Sequence, residues 1–315
     1  MSLWYWNVIE ALLMIGMAPL ATAVLKKFKA RLQNRRGPPL LQSYRNLIKL
    51  FTRQPVIAEQ ASWLFCTAPY VIFAAIALAT ATVPVIIVDT PLTAAADIIA
   101  LVVLLALARF FTALAAMDVG TAFGGMGASR EMTFGALTEP AMLMSIFVLS
   151  MVAQSTNLTA MIDTVLSTGL GLRPSLAFAL AALVLVTIAE TGRIPVDNPA
   201  THLELTMVHE AMIMEYSGRY LALIEWSSQI KLLLFATLIV NLFFPWGMAL
   251  DTSAVSILIA AAAWLGKLLV LSVLLSLFET WMAKMRIFRV PEYLGLAFLL
   301  AILGMLTHYI LEVGV

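Results

Sequence analysis

Apolar residues run through this chain in long blocks, separated by short polar segments. A helix needs roughly 20 apolar residues to cross the hydrocarbon core of a bilayer. Eight blocks reach that length, at about 3–25, 64–88, 93–117, 131–154, 174–192, 221–247, 253–279 and 291–313. The pattern predicts an all-α, polytopic integral membrane helix bundle of about eight transmembrane helices. No room is left for a separate soluble domain, so 1–315 reads as a single transmembrane domain. Its larger loops fall at about 26–63, 118–130, 193–220 and 280–290.

Composition agrees with the pattern. Hydrophobic residues make up 62% of the chain and charged residues 12%, where soluble domains sit nearer ~45–50% apolar. Mean hydropathy is +0.97. These values exclude a soluble core with a wetted surface. The opening MSLWYWNVIE has no Lys or Arg, so it lacks the basic region of a cleavable signal and is expected to be a retained span.

The positive charges orient the bundle. The first loop holds Lys26, Lys27, Lys29, Arg31, Arg35, Arg36, Arg45, Lys49 and Arg53. Loops on the same side add Arg130, Arg193, Arg219, Lys284, Arg286 and Arg289, against Arg173 alone on the other. Cytoplasmic loops carry the excess of Lys and Arg. The four loops above are therefore expected to be cytoplasmic, with both termini on the non-cytoplasmic side. Trp4, Tyr5, Trp6, Trp63, Trp246 and Tyr309 fall near span ends, where amphipathic rings prefer to lie.

Two loops hold candidate chemistry. In the first, Leu40, Leu47, Leu50 and Phe51 recur at helical spacing, with Arg45, Lys49 and Arg53 elsewhere around the axis. Such a helix can lie in the lipid interface, drawn to anionic lipid, or dock a cytoplasmic partner. Gly37-Pro38-Pro39 breaks it from what precedes. The other loop, RIPVDNPATHLELTMVHEAMIMEYSG from Arg193 to Gly218, sets Asp197, Glu204, Glu210, Glu215, His202 and His209 against one cation. Asn198-Pro199 reads as an N-cap followed by proline at the first helical position, opening a helix over Ala200 to Met214. His202, Thr206 and His209 then share one face, while Glu204, Ala211 and Glu215 share nearly the opposite one. Leu203, Leu205, Met207, Val208, Met212 and Met214 fill the remainder, so the helix is expected to pack against spans or a partner.

Metal and redox centres are not expected in the chain itself. His209-Glu210 is followed by Ala211, Met212 and Ile213, so the second histidine of a zinc-protease helix is missing. Cys66 is the one cysteine, which excludes an internal disulfide and a thiolate cluster. The three histidines do not sit in facing mid-membrane positions suited to haem. Nothing in the chain points to nucleic acid.

Charges do lie within the spans. Arg109, Glu139, Lys231 and Lys267 are well inside, and Glu190, Glu225 and Glu279 are nearer the loop ends. A charge at a helix centre costs about 2.5–3.5 kcal/mol on insertion scales, so such groups pair or line a polar cavity. Glu131, Gly135 and Glu139 follow a four-residue rhythm, which puts both carboxylates on one helix face. Burial brings carboxylates and lysines nearer neutrality, as a proton relay requires. A static ion-pair network, with Arg109, Glu131, Lys267 and Glu279 as further partners, satisfies the same spacing.

Several of these residues carry a family signature. Glu190-Thr191-Gly192-Arg193-Ile194-Pro195-Val196-Asp197, Glu215-Tyr216-Ser217-Gly218, Arg35-Arg36-Gly37-Pro38, Gln42, Lys49-Leu50, Ala68-Pro69, and Arg130 followed by Glu139 all stand in its positions. The chain resembles the membrane subunit family shared by respiratory complex I and the energy-converting nickel–iron hydrogenases. It departs from the complex I pattern in the acidic loop: positions that are alternate glutamates there read Ala200, His202 and Glu204 here. Gln42-Ser43-Tyr44-Arg45-Asn46 and Gly127-Ala128-Ser129-Arg130-Glu131 resemble the hydrogenase-4 and formate hydrogenlyase branch.

The resemblance implies an inner-membrane, multi-pass subunit without a redox centre of its own. Partner subunits are expected to hold the nickel–iron centre and iron–sulfur clusters: hydrogenase large and small subunits and iron–sulfur proteins on the cytoplasmic side, with antiporter-like subunits in the bilayer. It further implies proton or sodium coupling; Glu204, Glu210 and Glu215 are expected to form the entry of a path that Glu139, Glu190, Glu225 and Lys231 carry inward, with Asp197 in the same relay. Arg35, Arg36, Gly37, Pro38, Tyr44, Arg45, Lys49, Arg193, His202, His209 and Tyr216 are the residues expected to meet the redox arm.

Overall fold

The computed structural model describes residues 4–88, 97–168, 173–197 and 207–313. Its longer helices are α1 (Trp4–Leu32), α3 (Trp63–Thr82), α4 (Ile98–Asp118), α5 (Ala122–Ala153), α7 (Pro174–Glu190), α9 (Gly218–Phe243), α10 (Ala254–Trp281) and α11 (Val290–Thr307). Shorter ones are α2 (Gln42–Thr52), α6 (Leu158–Thr168) and α8 (His209–Ile213). No strand forms among the described residues.

Among the described residues, seven helices are long and apolar enough to cross a membrane. They are α1, α3, α4, α5, α9, α10 and the last, which counts from Ile287 through Leu311. The expected eighth, α7, has 17 residues. At 1.5 Å per residue it spans about 26 Å, slightly less than the ~30 Å hydrocarbon core. It packs between α5 and α11.

Caps set the helix starts. Asp97 accepts from Ile99 N, Thr121 from Gly124 N and Ser253 from Ser256 N, each meeting a first-turn donor. Ser62 caps α3 through Leu64 N and donates its hydroxyl to Asp118 at 2.7 Å, tying α3 to the end of α4. α5 begins at Ala122, earlier than the predicted 131, because its first turns are built from small residues that hydropathy scores poorly. Those residues admit α8: a side chain at Gly127 would meet Met212, Val208 and Ala211 at 3.0–3.1 Å.

The elements wrap around one large core that includes Met14, Phe65, Ile98, Phe235 and Phe243. α5 contacts α4, α7 and α11, and α3 contacts α1, α4 and α9. α10 is the least embedded span and rests mainly on α1, with a smaller contact to α9. Beyond the end of α1 the chain turns back along it, with Gly37 close over Lys27 and Ala30. α2 then lies against α1 and α9. The Tyr44 hydroxyl donates to Gly16 O at 2.5 Å, placing this amphipathic helix beside the middle of α1.

Candidate functional site: a buried ionic chain

Three carboxylates and two cations from four helices meet in the bundle, Glu190 deepest and Glu139 at the partly exposed edge. Glu131, Gly135 and Glu139 follow one another along a face of α5, and the Arg109 side chain crosses from α4 over Gly135. A side chain at 135 would lie 2.5 Å from Arg109 Nη1 and 3.0 Å from its Cδ, so glycine keeps this crossing open. Arg109 Nη1 donates to Glu139 Oε1 at 2.7 Å, and Arg109 Nε lies 3.3 Å from Glu131 Oε1. Its Nη2 is in ionic contact with Glu190, the last residue of α7. The other Glu190 oxygen is 2.6 Å from Lys231 Nζ on α9. The Glu190 side chain is 1% exposed and that of Arg109 6%, so each depends on these neighbours to offset lost hydration.

A cavity of about 220 Å³ joins this chain to the loops at the basic end of the bundle. Arg109, Glu131, Glu190 and Lys231 line its inner part, with Arg193, Asp197, His209 and Glu210 toward the loops. It has the room and polar lining to hold several waters. The Lys231–Glu190 separation is within proton-transfer reach. Arg109, a guanidinium, offers charge rather than a transferable proton to such a path. It therefore serves as a fixed positive charge between Glu131 and Glu139 on one side and Glu190 on the other.

A second ionic group closes the basic end. Glu279 on α10 takes Lys29 of α1 at 2.7 Å and Arg193 at 2.5 Å. Asp197 is 3.7 Å from Lys284 and accepts the backbone N–H groups of Val208 and His209 at 3.2 and 3.3 Å. Met207 O accepts from Arg130 at 3.1 Å. Of the helix expected over Ala200–Met214, 200–206 lie outside the described residues; Met207 and Val208 are not helical, and α8 runs from His209 to Ile213.

The other expected site residues divide. His202 and Glu204 lie outside the described residues. Glu210 and His209 line the cavity, whereas Glu139, Glu215 and Glu225 do not. Glu215 is exposed. Lys267, expected to pair with a carboxylate, donates instead to Phe244 O at 2.8 Å, capping α9 where cations are favoured. Arg35, Arg36, Arg45 and Lys49 are exposed and Pro38 is half-buried, so these basic groups are accessible on this chain.

Tyr216, expected to meet a partner, packs within this chain. It is 5% exposed, stacks on Phe65 at 3.9 Å and donates to Phe65 O at 3.0 Å. Burial pushes its phenol above the usual tyrosine range. Ser217 Oγ bonds both the N–H and C=O of Val56, at 2.7 and 2.8 Å. Gly218 has φ +53, and any side chain there would meet Arg53 O at 2.8 Å. The Tyr-Ser-Gly part of the signature is thus a clasp between the α2–α3 connection and the start of α9.

Glu10 is a further buried carboxylate, absent from the sequence-based set. It is 3% exposed and accepts the backbone N–H groups of Val85, Ile86 and Ile87 at 3.0, 3.1 and 2.9 Å. A lone acid inside the first span is the signal that would have found it.

Fold and site together define a multi-pass helical membrane protein with an ionic chain threaded through its core. The chain belongs to the NADH dehydrogenase family, whose pattern it matches over residues 6–310. It is 36% identical to formate hydrogenlyase subunit 4 of Escherichia coli (strain K12) over 298 residues, covering 93% of this chain and 96% of that protein. Hydrogenase-4 component C of the same organism is also 36% identical, over 94% of this chain and 92% of the relative. A subunit of the NADH-quinone oxidoreductase of Syntrophotalea carbinolica is 27% identical over 69% of each chain. Among solved structures, a chain of the membrane-bound sulfane sulfur reductase, an archaeal respiratory membrane complex, shares the fold. Its TM-score is 0.76 at 18% identity, over 95% of this chain and 98% of that one.

Proposed function

We propose that this chain is the membrane-arm subunit of a complex-I-like, energy-converting nickel–iron hydrogenase. It anchors a cytoplasmic redox arm at its basic end and couples electron transfer there to proton or sodium movement. The observation that carries this reading is the connection from the loop cavity through Glu190 to Lys231. The higher identity to the formate hydrogenlyase and hydrogenase-4 relatives than to the quinone-linked one supports the branch.

In this reading the chain sits in the cytoplasmic membrane with both termini outside. Arg35, Arg36, Arg45 and Lys49 face the redox arm, while partner subunits hold the nickel–iron centre and iron–sulfur clusters. Glu210 and His209 form the mouth of the path. Glu139, through Arg109, sets the charge that Glu190 and Lys231 experience.

Nickel and iron content of the intact complex, purified through a tag on this chain, tests the branch. Iron without nickel would move the assignment to a quinone-linked relative. Glu139→Gln and Glu190→Gln test the coupling: each should lower ion transport per turnover with the complex still assembled. Full coupling in both variants would leave the chain a passive anchor.

A further inference from the structure

Three spans carry an interior proline, Pro19 in α1, Pro69 in α3 and Pro140 in α5, and the first two are on spans that pack against α9. Such a proline offers no N–H to the carbonyl four residues earlier, and its ring pushes that carbonyl aside. In α1 and α3, the carbonyls concerned are those of Ile15 and Phe65. Ile15 lies within α1 and Phe65 is buried at the start of α3, so another protein group must replace the lost donor.

Both oxygens are met by aromatic donors from one stretch of chain. Trp226 Nε1 donates to Ile15 O at 3.0 Å, and the Tyr216 hydroxyl donates to Phe65 O, also at 3.0 Å. Trp226 lies on α9 on the same helix as Lys231, while Tyr216 immediately precedes that helix. Just beyond the two prolines, Thr22 of α1 and Ile72 and Ile76 of α3 line the cavity of the ionic chain. How far each break opens therefore sets a wall of that cavity.

We propose that Trp226 and Tyr216 are positioning residues for the ionic chain. Each holds a proline-freed carbonyl, and together they fix the height and rotation of α9 so that Lys231 meets Glu190. This role rests on the coupling reading above. Two bonds to two different neighbours constrain α9 in a way that packing on one side cannot. Trp226 also packs against Phe51 and Phe73, so a single substitution does not isolate the hydrogen bond.

Replacing the prolines does isolate it. Pro19→Ala and Pro69→Ala restore the N–H that the aromatic donor replaces. Trp226→Phe and Tyr216→Phe are made alone and in the matching proline variant, in the full-length chain within its complex in vesicles. Two quantities are read: amide hydrogen exchange over the Lys231 region, and ions moved per turnover. A buried hydrogen bond corresponds to about a tenfold change in the opening equilibrium. Each aromatic variant should raise exchange by about that factor and lower the ion ratio, and the matching alanine should largely reverse both.

Equal losses in both proline backgrounds, for both pairs, would overturn the proposal, because the aromatics would then act by packing alone. It also falls if exchange is rescued and Glu190→Gln lowers the ion ratio while neither aromatic variant does. In that case the coupling reading stands. If Glu190→Gln leaves the ratio intact but exchange near Lys231 follows the donor and is rescued, the coupling reading fails and the positioning role stands.

Discussion

The Glu190–Lys231 contact allows stability and transport to be separated. Lys231→Met strips Glu190 of one cation and leaves it to Arg109, which already faces Glu131 and Glu139. Glu190→Gln strands Lys231, whose ammonium is 2.6 Å from that carboxylate. Breaking one side of a buried pair costs about 3–5 kcal/mol. Because Arg109 still compensates Glu190, Lys231→Met should fall near about 3 kcal/mol. The double replacement leaves no stranded cation and should cost about 1–2 kcal/mol, mostly lost hydrogen bonding. The coupling then comes to about 4–7 kcal/mol, above the about 0.5–3 kcal/mol usual for touching residues. Reversible unfolding of the purified full-length protein in mixed detergent measures these costs, with ion transport in vesicles followed in parallel. The double variant should be more stable than Lys231→Met and yet fail to transport. Strictly additive costs would refute the paired arrangement, and transport in the double variant would refute its role in coupling.

Three further outcomes follow from the geometry. Gly135→Ala should displace Arg109 and destabilise by about 1–3 kcal/mol through overpacking. Gly125→Ala, with nothing within 4 Å of the added carbon, should stabilise α5 by about 0.5–1 kcal/mol; paired thermal melts compare the two. Glu279→Gln should loosen the loop held by Arg193 and Lys29, raising amide exchange at Val196 and Asp197 by about tenfold or more. For Tyr216, the folded-state phenol titrates above its unfolded value near 10. The contribution of this group is full below about pH 10 and declines as pH rises toward the folded value, since the unfolded chain ionises first. Between pH 9 and 11, wild type should lose stability faster than Tyr216→Phe in equilibrium unfolding.

Hydropathy carried the fold a long way because the bilayer demands long apolar helices and little else. It fell short where that demand is relaxed. α6 has 11 residues, too few to cross, and its start is set by Asn157 accepting from Thr159 N at 2.9 Å. Helical spacing brought out Glu131, Gly135 and Glu139 as one face, since that relation is local. Arg109 meeting Glu190, or Lys231 reaching it from α9, is a matter of tertiary packing, and no short-range pattern records it. The Tyr-Ser-Gly signature was legible as a motif but not as a clasp, because its partners are Phe65, Val56 and Arg53, far away in the chain. Pro19 and Pro69 were visible signals of the same kind: each announced an unmet carbonyl without naming its donor.

Glu10 also has a consequence for the order in which the protein is made. The nearest of its three amide partners lies 75 residues further along the chain. At about 5–20 residues per second, translation needs roughly 4–15 s to deliver it. During that interval α1 has emerged with a carboxylate that nothing in its own sequence satisfies. Its settled position in the bilayer waits on the segment after α3. Insertion of the first two long spans is therefore a joint event, completed when Val85, Ile86 and Ile87 close over the acid.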